Sequence, residues 1–313
     1  MAKKIAFILA LITFLLISGC AENKATTFNP KYAGLLVPMY NTATDNDQNM
    51  PKGISPSNEQ QKDISKLFTS ICEHFNIKKA VPKFELLTSK QFESYAGNKM
   101  LKACYDFQTK TVYLSETLDL NNIEDKEVFT HETLHYLSDN GDKRGFIYFN
   151  DGKEYNRGFN EGATEFFATE FVGKNIDSPY EFQEALVEQL SMCLGYNTVK
   201  DAYFYSEDSI IRAAFNDISN IYPRRITEDG VEYDTYDTFA CTCFTMWAYG
   251  TLNDFQTECA TFTALEEQLL YLASKTGNTE ECKKSLEKFL KDFGVDDSTL
   301  QALFDIKYLR SIW

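Results

Sequence analysis

The sequence predicts an α+β fold: a small mixed sheet and one functional helix toward the N-terminus, followed by a mainly helical C-terminal lobe. Three observations lead there. Strand-like runs cluster at 84–87, 102–107 and 111–115, with one further hairpin pattern at 145–159. After residue 160 apolar residues recur at three- and four-residue spacing through most of the chain. Two of only three histidines sit four apart within one helical stretch, in His131-Glu132-Thr133-Leu134-His135.

Residues 1–20 stand apart from any fold. Lys3 and Lys4 precede an apolar run, 5–17, that ends in Ser18, Gly19 and Cys20, the marks of a secretory signal. The run is too short and too abruptly ended to span a bilayer comfortably. Ile17-Ser18-Gly19-Cys20 resembles a bacterial lipobox, which implies cleavage before Cys20 and lipidation of its thiol. An ordinary signal peptide or a single N-terminal anchor is the alternative. Either way the expected location is extracytoplasmic, with the membrane reached through lipid on Cys20 in the lipobox reading. Residues 21–57, rich in Asn, Thr, Asp, Pro and Lys, read as a flexible tether. Residues 58–313 remain as one folded domain, with an α/β lobe over about 58–140 and a helical lobe over about 159–313.

Within that domain, Ile64, Leu67, Phe68, Ile71 and Phe75 mark an amphipathic helix over 57–75. A strand at 84–87 follows Pro82, and 89–95 reads as a small helix. The strands 102–107 and 111–115 are joined by the polar turn Gln108-Thr109-Lys110. Asn122 is placed to cap a helix whose first turns carry Glu124, Asp125 and Glu127, and which ends near Asp139-Asn140-Gly141. Aromatic and polar residues alternate around Asn150-Asp151-Gly152, a hairpin signal. A second helix runs from near Asn160 to Val172, with Gly173 as its stop. Further helices are expected at 179–194, 206–218, 237–249, 256–274, 279–293 and 298–304.

The net charge of −15 argues against nucleic acid as a partner and against the folded body lying on anionic lipid. After Cys20 seven cysteines remain: Cys72, Cys104, Cys193, Cys241, Cys243, Cys259 and Cys282. None forms a C-x-x-C pair, so a structural zinc site is not indicated, and an odd count leaves at least one unpaired within the chain. His74 sits beside core positions of the helix over 57–75 and reads as a packed or surface histidine.

On a helix, His131 and His135 share one face one turn apart, and Glu132 lies about a hundred degrees round. This HExxH arrangement can hold one zinc ion and leave Glu132 free to act on water. A catalytic zinc takes a third protein ligand. The candidates are Glu161 and Glu165, which share a face in Phe159-Asn160-Glu161-Gly162-Ala163-Thr164-Glu165-Phe166-Phe167.

Asn160-Glu161-x-x-Thr164-Glu165 resembles the N-E-x-x-[ST]-[DE] element that follows HExxH in thermolysin-like gluzincins, and Asn160-Glu161-Gly162 resembles the N-E-G element of M1 aminopeptidases. The resemblance spans roughly residues 110–173. It implies a zincin-like metalloprotease fold, with 111–115, before the histidine helix, as the edge strand; the plainer reading of that run is one more buried strand. It also implies Glu161 as third zinc ligand and Glu165 as the carboxylate that orients a ligand histidine; the exchanged assignment of these two glutamates uses the same face. Glu132 would accept the water proton and pass it to the leaving amine. Lethal-factor-like metalloproteases place an oxyanion-stabilising tyrosine shortly before the ligand Glu, which implies Tyr155, with Tyr148, Tyr203 and Tyr205 as other candidates and a packed aromatic as the plain reading. Metzincins are disfavoured, because His135 is followed by Tyr136-Leu137-Ser138 and no third histidine. The implied activity is zinc-dependent hydrolysis of a peptide or protein substrate. Endopeptidase is preferred, since the aminopeptidase G-x-M-E-N element is absent. Two rivals are a catalytically inactive zincin-fold binding lipoprotein and a zinc hydrolase acting on a non-peptide or cell-wall amide.

Overall fold

A computed structural model describes residues 52–96, 102–141, 143–150, 153–173, 180–221, 225–226, 232–251 and 255–292. The lipobox with Cys20, most of the tether and the expected helix at 298–304 lie outside the described residues.

Helix α1 (Asn58–Phe75) opens with a capping box: Ser57 Oγ accepts the Gln60 N–H at 3.3 Å, and Gln60 Oε1 accepts the Ser57 N–H at 2.9 Å. Its buried face is Ile64, Phe68, Ile71 and Phe75, and Asn76 ends it at φ 57°. Strand β1 (Lys83–Leu87), helix α2 (Ser89–Ala96), β2 (Ala103–Asp106) and β3 (Thr111–Ser115) follow. The strand order is β1-β3-β2, with β1 parallel and β2 antiparallel to β3.

This order corrects the edge-strand expectation for 111–115: β3 is central, and β2 is the edge. The reason is the apolar character of β3 on both faces. Val112 and Leu114 join the main core, while Tyr113 packs with Leu87 and Phe92 on the other side, so all five residues are buried. The more polar β2 is only partly buried, as suits an edge. Outside β1, Ile54 exchanges both backbone hydrogen bonds with Leu86, at 3.0 and 2.8 Å. The last residues of the expected tether are therefore already docked on the sheet.

Helix α3 (Ile123–Ser138) carries both clustered histidines and packs on β2 and β3. Asn122 Oδ1 caps it by accepting the N–H groups of Glu124 and Asp125. At its other end the Lys79 ammonium donates to the carbonyls of Tyr136 and Asp139, each at 2.6 Å, and lies over the Tyr136 ring. A cation bonded to the last carbonyls complements the helix dipole there.

Strands β4 (Lys143–Arg144), β5 (Ile147–Asn150) and β6 (Lys153–Tyr155) form the expected hairpin with one extra short strand. Helix α4 (Arg157–Val172) starts directly after it, three residues before the expected Asn160. Asn156 makes the corner in left-handed conformation at φ 69°, with no side-chain cap to announce the start. Gly173, at φ 76°, closes the helix as expected.

The remainder comprises α5 (Glu181–Leu194), α6 (Tyr196–Tyr205), α7 (Ser209–Asp217), a two-stranded ribbon β7 (Arg225–Ile226) and β8 (Glu232–Tyr233), α8 (Thr235–Thr251), α9 (Phe255–Thr276) and α10 (Thr279–Asp292). The expected helix at 206–218 is shortened to α7, and α6 and the ribbon were not anticipated. Helix α4 packs against α3, α5 and α8. One continuous core runs from Ile64 to Leu290, through both lobes. Aromatic rings surround α4: Phe167 meets Phe75 at 5.7 Å and Tyr203 at 5.1 Å, and Phe159 meets Phe239 at 5.7 Å. Such pairs contribute about 0.5–1.5 kcal/mol each beyond their buried area. Among the described residues no helix is long and apolar enough to cross a membrane.

Candidate metal centre

Helices α3 and α4 lie side by side and bring His131, His135 and Glu161 together. The two Nε2 atoms are 3.1 Å apart, and Glu161 Oε2 is 3.2 Å from His131 Nε2 and 3.3 Å from His135 Nε2. Their side chains are mostly buried, with 11%, 16% and 15% exposure for His131, His135 and Glu161. Zinc bonds of about 2.0–2.2 Å at tetrahedral angles require ligand atoms roughly 3.3 Å apart, so this near-equilateral triangle fits such an ion.

The hydrogen bonds behind the triangle assign the protons. Glu165 Oε2 lies 2.7 Å from His131 Nδ1 and must accept its N–H. Thr164 donates its single hydroxyl proton to the Asn160 carbonyl at 2.8 Å, so its oxygen accepts from the Tyr203 hydroxyl at 2.6 Å and from His135 Nδ1 at 3.4 Å. Both rings therefore carry their proton on Nδ1 and turn bare Nε2 lone pairs toward each other and toward a carboxylate. Three lone pairs this close repel unless a cation lies among them. The donor set thus suits a metal ion, and the carboxylate and hydroxyl behind the imidazoles hold the required tautomers.

When no cation lies among these donors a proton takes its place, and the imidazoles then hydrogen-bond Glu161 through Nε2; the shifts that follow belong to that protonated form. Burial works to raise the Glu161 pKa, yet His135 and the hydrogen bonds from both imidazoles hold it well below the usual carboxylate range. Burial alone would lower the His131 pKa, but its hydrogen bonds to Glu161 and Glu165 raise it well above the ordinary value. Glu132 is different. Burial raises its pKa despite the opposing pull of His135 and His131, which suits a proton acceptor. Its Oε2 accepts the Tyr105 N–H of edge strand β2 at 2.7 Å.

The residues around Glu161 are fixed by close packing. Asn160 Oδ1 accepts the Phe146 N–H at 2.9 Å, tying α4 to the hairpin. Gly162 lets α5 approach: a Cβ there would lie 2.4 Å from Gln183 Cβ and 2.6 Å from its backbone carbon.

Four expected residues meet at this site: His131, His135, Glu161 and, behind His131, Glu165. Glu165 reaches Nδ1, whereas Glu161 faces both Nε2 atoms, so the exchanged assignment is not the arrangement observed. Tyr155 ends β6, but its side chain and that of Tyr148 lie outside the described residues. Tyr203 is fully buried and bonded to Thr164, and Tyr205 donates to the Asn76 carbonyl, so neither faces the triangle as an oxyanion donor. His74 bonds Glu170 at 3.1 Å between the Phe75 and Phe171 rings, a packed surface histidine as expected.

Two residues escaped the sequence reading. Thr164 was visible inside the Asn160–Glu165 motif, three residues after Glu161, but its role toward His135 was not drawn. Tyr180 stacks on the His131 ring, with centroids 5.9 Å apart and planes at 17°. Burial, then the charges of Glu161, Glu132 and Glu165, push its pKa well above the ordinary value, so the phenol stays a hydrogen-bond donor. Nothing in the spacing singled it out among 18 tyrosines. In comparisons with known proteins, no family model, curated protein or solved structure matches the chain, so the site stands on its own geometry and donor chemistry.

Proposed function

We propose that the chain is a zinc-dependent peptidase of gluzincin type, an endopeptidase held outside the cytoplasm by lipid on Cys20. The observation that carries the reading is the triangle of His131 Nε2, His135 Nε2 and Glu161 Oε2, with edges of 3.1–3.3 Å. Zinc held there supplies Lewis acidity, lowering the pKa of water to about 7 and polarising a carbonyl. Glu132, with its raised pKa, takes the proton from water and delivers it to the leaving amine. The Ser115 N–H to Lys102 carbonyl bond sets the alternation of the β2–β3 ladder. That alternation turns the backbone groups of Ala103 and the Tyr105 carbonyl away from β3, the side on which an extended peptide would add as a further strand, while the Tyr105 N–H is held by Glu132. Tyr180, beside His131, joins Tyr155 as a candidate oxyanion donor.

Metal analysis and hydrolysis of a peptide library, on wild type, Glu132→Gln and Glu161→Ala, test the reading. Glu132→Gln is expected to keep its metal and lose cleavage, and Glu161→Ala to lose the metal. Equal turnover by wild type and Glu132→Gln would refute the mechanism. Activity confined to cell-wall amides would move the substrate class and leave the metal centre in place.

A further inference from the structure

Helices α5 and α10 meet at two cysteines remote from the metal centre. Cys193 Sγ and Cys282 Sγ are 3.7 Å apart, and both residues have no exposed surface. Among the described residues each thiol has one further long contact, to an oxygen: the Leu269 carbonyl at 3.4 Å for Cys193, and Gln189 Oε1 at 3.7 Å for Cys282. The backbones are held in register by Asn278, whose side-chain amide donates to the Cys193 carbonyl at 2.8 Å.

We infer that Cys193 and Cys282 form a disulfide that locks α5 to α10. A disulfide needs sulfurs about 2.05 Å apart, and rotation of two side chains already in contact closes the remaining gap. The bond joins residues 89 apart in sequence, a long loop whose closure restricts the unfolded chain strongly. It acts on the element that matters for the site. Helix α5 rests on Gly162 through Gln183, one residue from Glu161, and Tyr180 immediately precedes it.

Because both sulfurs are buried, the bond forms during folding. The thiolate of one cysteine attacks the disulfide of a thiol–disulfide oxidant, releasing one oxidant thiol. The second cysteine thiolate then displaces the other oxidant thiol from the mixed disulfide. In total two protons and two electrons leave the cysteine pair, and one oxidant disulfide becomes two thiols. An exported chain meets oxidants of this class.

The test refolds the full chain from the reduced, denatured state in a mixture of oxidised and reduced glutathione, and in parallel with excess reductant. Free thiols are then blocked with N-ethylmaleimide under denaturing conditions, and the peptides are mapped by mass spectrometry. After oxidative refolding the Cys193 and Cys282 peptides are expected to be joined and free of the label. Both cysteines labelled, or either joined to a different cysteine, overturns the inference. The double variant Cys193→Ala/Cys282→Ala supplies a second reading. Reductant should lower the wild-type Tm by about 5–10 °C and leave that of the variant unchanged; an equal loss in both overturns it. Peptide mapping of the wild type decides the matter even where the variant fails to fold.

Discussion

Replacing Glu165 by Gln isolates what the charge behind His131 contributes. The Glu165 Oε2 to His131 Nδ1 bond is 2.7 Å long, between groups with only 8% and 11% side-chain exposure. Gln keeps an acceptor oxygen at nearly the same place, so ring position is preserved while the charge is lost. Hydrogen bonds to charged groups contribute about 1.5–3 kcal/mol and neutral ones about 0.5–1.5 kcal/mol. The difference, roughly 1–2 kcal/mol, corresponds to about a 5- to 30-fold loss in metal affinity. That range overlaps the loss of about 10- to 100-fold typical of orienting partners in metal sites.

Thr164→Val is the matched control. Its bond to His135 Nδ1 is neutral and 3.4 Å long, so metal affinity should fall less than about 3-fold. Val also removes one of the two hydrogen-bond partners of the fully buried Tyr203 hydroxyl, the other being Ser138, which costs about 0.5–1.5 kcal/mol of stability. The two variants should thus separate: Glu165→Gln weakens zinc binding at nearly constant Tm, and Thr164→Val lowers Tm at nearly constant zinc affinity. Zinc competition against a chromogenic chelator, with thermal unfolding of the metal-free proteins, measures both. If Thr164→Val weakens zinc more than Glu165→Gln does, the proton assignment behind the histidines is wrong.

Three other outcomes follow from the same geometry. Tyr180→Phe should leave metal content unchanged and reduce kcat by about 100-fold, the usual loss of one oxyanion donor; steady-state kinetics beside Tyr155→Phe decides between the two tyrosines. Gly162→Ala puts a methyl 2.4 Å from Gln183 Cβ and should cost about 1–3 kcal/mol, read as a Tm drop of roughly 2–12 °C; an unchanged Tm would show that α5 yields freely there. Burial and the neighbouring Glu165 charge raise the Glu184 pKa from 4.5 to about 7. The folded state therefore binds the Glu184 proton more tightly than the unfolded chain, and stability falls as pH rises from 4.5 to about 7, by roughly 3 kcal/mol in all. Glu184→Gln should remove that slope and raise the Tm at pH 7.5, and an identical pH–Tm profile in the variant would refute the assignment.

Much of the site was legible because its chemistry obeys helical spacing. His131 and His135 at i and i+4, and Glu161 and Glu165 at the same separation, declare their faces in sequence alone. The order of strands did not follow so directly. Chain order suggested β3 as the edge, but pairing is decided by which strand carries apolar residues on both faces, and Val112, Tyr113 and Leu114 bury β3 in the middle. The start of α4 was hidden because Asn156 turns the chain through a left-handed corner and gives no side-chain cap. Tyr180 was invisible for a different reason: stacking on His131 is a contact between distant segments, with no local periodicity to mark it.

The segment Asn160–Glu165 shows how a second helix, rather than a set of loops, completes the site that α3 begins. Asn160 ties α4 to the hairpin through Phe146, and Gly162 admits α5 against the opposite surface. Glu161, Thr164 and Glu165, at i, i+3 and i+4, all turn toward α3. There they supply one donor to the triangle and one orienting group for each histidine. A single rigid element therefore sets the third donor and both imidazole tautomers together. Displacing α4 by an ångström would loosen all three contacts at once. The dense aromatic packing of Phe159 and Phe167 beneath this segment is what holds that register against α3.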